Sequence, residues 1–167
     1  MQNDPATYRT IILPLLKPWY RNYLKFAFES EDENPLRINR NIELGKYLFS
    51  MVRSSPLPIK FPGTQNHIKL MLPDNRYDTG QYKFMYYMTE DVVRISDYIE
   101  SSAYSDLRSL ISAGNIDLGM NKKQVIEIFS NIIYGEDLYE RIRKDEYRKR
   151  QKHLKWLNKS AKELGYI

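Results

Sequence analysis

In the stretch HIKLMLPDNRYDTGQYKFMYYM, residues 67–88, two runs alternate with the period of a β-strand. Ile68, Leu70 and Leu72 alternate with His67, Lys69 and Met71, and Tyr82, Phe84, Tyr86 and Met88 alternate with Gln81, Lys83, Met85 and Tyr87. The intervening PDNRYDTG is built from turn-forming residues, so the two runs are expected to pair as an antiparallel hairpin over about 66–88. One face of that hairpin would be apolar and buried. The other would show His67, Lys69, Lys83 and Tyr87, a mixture on which single-strand binders stack bases and which ordinary solvated sheet faces also carry.

Upstream of the hairpin the chain reads as two short helices. Thr10 to Leu13 is a β-like run stopped by Pro14. Pro18 suits the first turn of a helix whose face is Tyr20, Tyr23, Leu24, Ala27 and Phe28. The acidic stretch Glu29, Glu31, Asp32 and Glu33 ahead of Pro35 reads as a solvated loop, since its carboxylates repel one another and Pro35 blocks the helix. Leu36 to Ile38 suits a short strand. Asn39 or Asn41 would cap a second helix with Leu44, Tyr47, Leu48, Met51 and Val52 on its apolar face, ended by Ser54, Ser55, Pro56 and Pro58.

Downstream, Thr89 is a suitable N-cap with Glu90 and Asp91 behind it, and a third helix is expected to run to about Ser112. Its apolar positions are Val92, Val93, Ile95, Tyr98, Ile99, Leu107, Leu110 and Ile111, and Gly114 would close it. Asn121 and Gln124 form a capping-box pattern for a fourth helix with Val125, Ile126, Phe129, Ile132 and Ile133 buried and Gly135 at its end. A fifth helix starts after Glu136 and Asp137.

That fifth helix carries the charge of the molecule. From Arg141 to Lys162 ten cations, Arg141, Arg143, Lys144, Arg148, Lys149, Arg150, Lys152, Lys155, Lys159 and Lys162, face only Asp145 and Glu146, a local charge of +8. The rest of the chain holds the remaining 16 basic and 19 acidic residues, or −3, for a total of +5. Such polarity is the footprint of a polyanion binder and also of a solvated basic helix. Tyr147, Arg150, Leu154, Leu157, Ala161 and Leu164 recur at heptad spacing, with Arg150 as the flaw in the stripe. Either the helix runs straight and pairs through this stripe, or it breaks near Asp145 and folds back. Trp156 beside Leu157 adds a candidate anchor.

Helices three to five have the order of a tri-helical helix-turn-helix unit, in which helix five would enter the major groove behind Tyr139, Glu140, Arg143 and Lys144. Arg143 would suit guanine, and Arg148, Lys149, Arg150 and Lys152 would suit phosphates. Glu140, Asp145 and Glu146 oppose this reading.

Catalysis has thin support. His67 and His153 are the only histidines and sit on different elements. The loop DNRYDTG, with Asp74 and Asp78, lacks the oxygen-ligand spacing of a calcium site, and Glu90 with Asp91 reads as helix-start charge. No GxSxG, Walker A or GxGxxG pattern occurs. With no Cys, disulfides, thiolate zinc sites and cysteine nucleophiles are excluded. No metal or cofactor is expected.

The expected fold is therefore α+β, a small antiparallel sheet packed with helices. A body over 1–88 would lead into a tri-helical basic region over 89–167, in one compact domain with an extended last helix. The expected function is non-enzymatic nucleic-acid binding, DNA before RNA, through Arg141, Arg143, Lys144, Arg148, Lys149, Arg150, Lys152 and Lys155. The alternative is an assembly or adaptor protein docking, or self-associating, through Leu154, Trp156, Leu157, Ala161 and Leu164. The start MQNDPATYRT lacks a secretory pattern and no run is long enough to span a bilayer, so a cytoplasmic protein without membrane attachment is expected. In its general layout and its Lys-, Asn-, Ile- and Tyr-rich composition the chain resembles the small proteins carried by phages and conjugative elements.

Overall fold

The computed structural model describes residues 8–31, 35–60, 66–73 and 84–167. The fold is α+β. The chain divides into two compact units, Met1–Arg108 and Ser109–Ile167, the division falling inside one long helix.

The first unit is organised on β4, His67–Pro73, whose alternation is as the sequence indicates: Ile68, Leu70 and Leu72 are buried and Lys69 is exposed. Its partners are not those expected. On one edge lies β1, Tyr8–Pro14, antiparallel, with Ile11 opposite Leu70 and Leu13 opposite Ile68; on the other lies β2, Leu36–Arg37, parallel, with Leu36 opposite Leu70. The buried residues of all three strands share one face. Among the described residues β4 does not pair with β5, Phe84–Tyr86, as the expected hairpin requires. β5 pairs antiparallel with β3, Arg53–Ser55, in a separate two-stranded sheet. β4 already has both edges occupied, by the long apolar β1 and by β2, which leaves β5 to the strand formed where Ser54 and Ser55 read as a helix stop. The turn residues Asp74 to Gly80 and Gln81 to Lys83 lie outside the described residues.

The phase after β5 is also reversed. Tyr87, expected on the outer face, is buried, while Phe84 and Met88 are exposed. Tyr87 lies one residue beyond the strand, and its hydroxyl donates to the Leu48 carbonyl oxygen at 2.9 Å, which satisfies it inside the core. Burial pushes that hydroxyl well above the ordinary tyrosine pKa.

Three helices contribute buried residues to the same core as the strands. α1, Tyr20–Ala27, begins two residues after Pro18 and buries Tyr20, Tyr23 and Leu24, with Phe28 just past its end. Tyr23 donates to Asp106 at 2.5 Å; burial first, then this carboxylate, raises its pKa, and burial with the nearby Glu100 does the same for Tyr20. Of the acidic stretch, Glu29 and Glu31 are described and exposed, and Asp32 and Glu33 lie outside the described residues. α2, Glu43–Ser50, buries Leu44 and Leu48 as expected, but neither Asn39 nor Asn41 caps it. Asn39 instead accepts from the Asn41 N–H at 2.9 Å, a local turn that competes with capping. Gly45 is required here: a Cβ would stand 1.8 Å from the Asn39 carbonyl oxygen.

α3, Thr89–Leu118, is 30 residues long and passes the expected stop near Ser112. Gly114 is not its end. It is buried within the helix, where a Cβ would come 2.9 Å from Val125 Cγ2, so it is a close-approach glycine. The helix is closed by Gly119 at φ 64°. Val93, expected in the core, is exposed, whereas Val92, Ile95, Ile99, Ala103 and Leu107 are buried. Asp91 is buried in the first turn beside Arg94 at 3.2 Å and Arg53 at 3.4 Å.

In the second unit α4, Lys122–Phe129, opens with the expected capping box: Asn121 accepts from the Gln124 N–H at 2.9 Å and Gln124 from the Asn121 N–H at 3.0 Å. It continues into a π-helical segment, Ser130–Tyr134, ended by Gly135 at φ 78°. The wider turn of that segment shifts the period of the buried face, so Val125, Ile126, Phe129 and Ile133 are buried and Ile132 is 68% exposed.

Candidate nucleic-acid interface

α5, Tyr139–Glu163, is one unbroken 25-residue helix, about 37 Å long. It does not break near Asp145. Its base is held by a serine: Ser130 Oγ, fully buried, donates to the Glu136 carbonyl oxygen at 2.7 Å and accepts from the Leu138 N–H at 2.6 Å. Asp137 accepts from the Tyr139 N–H at 3.0 Å, satisfying one of the donors left open at the helix start. Lys122 reaches Glu146 at 2.7 Å, and the Lys123 ammonium lies 5.4 Å from the Tyr139 ring centroid. At the far end Gly165, at φ 81°, closes a Schellman motif in which Tyr166 N–H donates to the Ala161 oxygen at 2.9 Å and Gly165 N–H to the Lys162 oxygen at 3.2 Å.

No residue of α5 is buried. At 100° per residue Arg141, Lys144, Arg148, Lys152, Lys155, Lys159 and Lys162, spaced by three or four residues, fall on one stripe. Tyr147, Leu154, Leu157, Ala161 and Leu164 fall on the opposite stripe, with Arg143 and Arg150 among them. The expected nucleic-acid residues therefore separate. Arg141, Lys144, Arg148, Lys152 and Lys155 are gathered on the basic stripe, and Lys159 and Lys162 extend it. Arg143 and Arg150 lie on the apolar side, and Lys149 lies between the two. Trp156, exposed, stands about 100° around the helix from Leu157, outside the leucine stripe and at the border of the basic one, about 40° from Lys152.

The electrostatics divide along the helix. Near its start two carboxylates are occupied with cations: Glu140 holds Arg143 at 3.1 Å, and Glu146 holds Lys122 at 2.7 Å. Beyond Glu146 the basic stripe meets one acid among the described residues, Glu163 at 3.8 Å from Lys159. From Arg141 to Lys162 the stripe runs about 31 Å. A row of exposed cations of this length can neutralise several phosphates of one strand together, with little geometric demand on each.

The histidines stand apart in the chain, His67 on β4 and His153 on α5. Among the described residues no group of three or more His, Cys, Asp or Glu is gathered as a metal site would require, and no helix is long and apolar enough to cross a membrane. Sequence reasoning missed Ser130, which sits in an apolar run and carries no motif; only the closing of the turn around it gives it a role. Compared with known proteins, the chain matches no family model, no curated protein and no solved structure.

Proposed function

We propose that this is a non-enzymatic nucleic-acid-binding protein, DNA before RNA, whose contact surface is the basic stripe of α5. The observation that carries the reading is the alignment of Arg141, Lys144, Arg148, Lys152, Lys155, Lys159 and Lys162 on one face of an unbroken, exposed helix. Ten cations scattered around a helix would only keep it solvated; seven on one line create a field that a phosphate backbone matches.

The stripe favours backbone contact over base reading. Arg143, the residue best suited to guanine, is engaged by Glu140, and the acidic residues cluster in the first two turns, where a helix-turn-helix protein reads bases. Binding is therefore expected to depend weakly on sequence and steeply on salt. Fluorescence anisotropy against duplex DNA, single-stranded DNA and RNA of equal length, titrated across salt, tests this. Micromolar or tighter binding to duplex DNA with a steep salt slope supports the reading, and absence of binding to all three at low salt refutes it.

A further inference from the structure

The apolar side of α5 is the strongest surface that nucleic-acid binding leaves unused. Tyr147, Leu154, Leu157 and Leu164 are 64%, 47%, 56% and 75% exposed, and they recur with Arg150 and Ala161 at alternating intervals of three and four residues. In heptad terms Tyr147, Leu154 and Ala161 share one core position, and Arg150, Leu157 and Leu164 share the other. The positions flanking this core between Tyr147 and Leu164 are Gln151, His153, Asn158 and Ser160, none of them a Lys, Arg, Asp or Glu. All the cations of that segment except Arg150 lie at the positions that face away from a paired helix.

We propose that α5 pairs with α5 of a second copy of this chain, antiparallel, through this stripe. The flanks identify the occupant. A stripe meant for an acidic partner would carry Lys or Arg beside its leucines, where charge selects the partner; here the helix is basic everywhere except on those flanks, which is the arrangement that lets two identical +8 segments approach. The order of core residues identifies the direction. In a parallel pair Arg150 would meet Arg150 of the second copy in the middle of the seam. In an antiparallel pair centred between Leu154 and Leu157, Leu154 meets Leu157 of the second copy, Arg150 meets the small Ala161, and Tyr147 meets Leu164. Each layer then occurs twice, related by a two-fold axis. Ala161 leaves room for the Arg150 stem to lie across the seam with its guanidinium in water. The Schellman closure at Gly165 keeps the last turn, with Ala161 and Leu164, helical to the end of the seam.

The pairing segment is about 26 Å long, short for a coiled coil, so the dimer is a reversible association rather than a permanent one. Its salt dependence has a definite sign. Two basic helices brought side by side repel, salt screens that repulsion, and the dimer strengthens as salt rises, opposite to nucleic-acid binding. Sedimentation equilibrium across micromolar concentrations, at low and high salt and without nucleic acid, is the first test. The expected result is a shift from 20.0 kDa toward twice that mass, larger at high salt. A monomer at every concentration and salt, or a dimer that dissociates as salt rises, would overturn the proposal.

Direction is tested by cross-linking, which is clean because the chain has no cysteine. Oxidation of a mixture of the Tyr147→Cys and Leu164→Cys proteins should give the mixed disulfide in large excess over either self-disulfide. Self-disulfides of each variant alone, with no mixed product, would contradict the antiparallel register. Because Leu157 is exposed, Leu157→Glu should leave the helical content unchanged and give a monomer; a surviving dimer would count against the seam.

Discussion

Replacing Ser130 with Ala removes one oxygen and changes nothing else in shape, so its effect can be worked from the contacts. The hydroxyl is fully buried and serves two backbone groups in the turn into α5, the Glu136 carbonyl and the Leu138 N–H. Each group left without a partner costs about 1–3 kcal/mol, and since both sites are part-buried the low end of that range, about 1–1.5 kcal/mol each, applies, giving about 2–3 kcal/mol for the pair. The better helix propensity of Ala returns about 0.5 kcal/mol. The net loss of about 2 kcal/mol should lower the urea midpoint by roughly 1 M at a slope of about 2 kcal/mol/M. The Leu138 amide should also lose its protection in hydrogen exchange. Ser96→Ala is the matched control: Ser96 is also buried, but its hydroxyl donates back to the Val92 carbonyl at 2.8 Å, an oxygen one turn back within α3, and the Tyr20 hydroxyl it also meets keeps Glu100, so the expected change is about 1 kcal/mol or less. Equal midpoints for the Ser130 and Ser96 variants, or an unchanged Leu138 exchange rate, would refute the role given to Ser130.

Gly45→Ala should be among the most damaging single substitutions, costing about 3 kcal/mol or more, because a methyl group would stand 1.8 Å from the Asn39 carbonyl oxygen; a thermal melt within a degree or two of wild type would contradict that packing. Asn121→Ala removes the side-chain half of the α4 capping box and should cost about 1 kcal/mol in denaturant unfolding. At alkaline pH, Tyr20, Tyr23 and Tyr87 have raised native pKa values, so the native state holds protons that the unfolded chain releases. The stability they contribute is complete below the unfolded value of about 10 and is lost as pH rises above it. Phenolate absorbance and circular dichroism should therefore show these three groups ionising together with unfolding, and their ionisation in a fully folded protein would refute the assignment.

Much of the fold is legible from periodicity. The helical faces of α1, α2 and α4, the capping box at Asn121 and the alternation of β4 all follow from local spacing, and each is decided within a few residues. Pairing is not local. β4 takes β1 and β2 as neighbours across long sequence separations, and nothing in residues 67–88 alone says that both edges are already occupied. Gly114 and Gly119 show the same limit: either suits a helix end, but only the approach of Val125 shows that Gly114 belongs inside the helix. Ile132 is misread because the π-helical turn changes the period on which its burial depends. The candidate interface is the most legible part, since an exposed helix that buries nothing keeps the arrangement its spacing dictates. The sorting of its cations into a stripe and its opposite face follows once α5 is known to be unbroken.

The most direct test compares the two faces of α5 at equal charge change. Arg148, Lys152 and Lys155 lie on the basic stripe, and Arg143, Lys149 and Arg150 lie off it. Each set is replaced by Ala as a triple variant, and the salt dependence of duplex DNA binding is measured. The expected result is that the stripe variant loses about 2.7 from the log–log slope, three phosphate contacts at about 0.9 each, with the off-stripe variant keeping most of the wild-type slope. Equal losses in both variants would mean that only net charge matters, and an unchanged slope in the stripe variant would contradict the basic stripe as the binding surface.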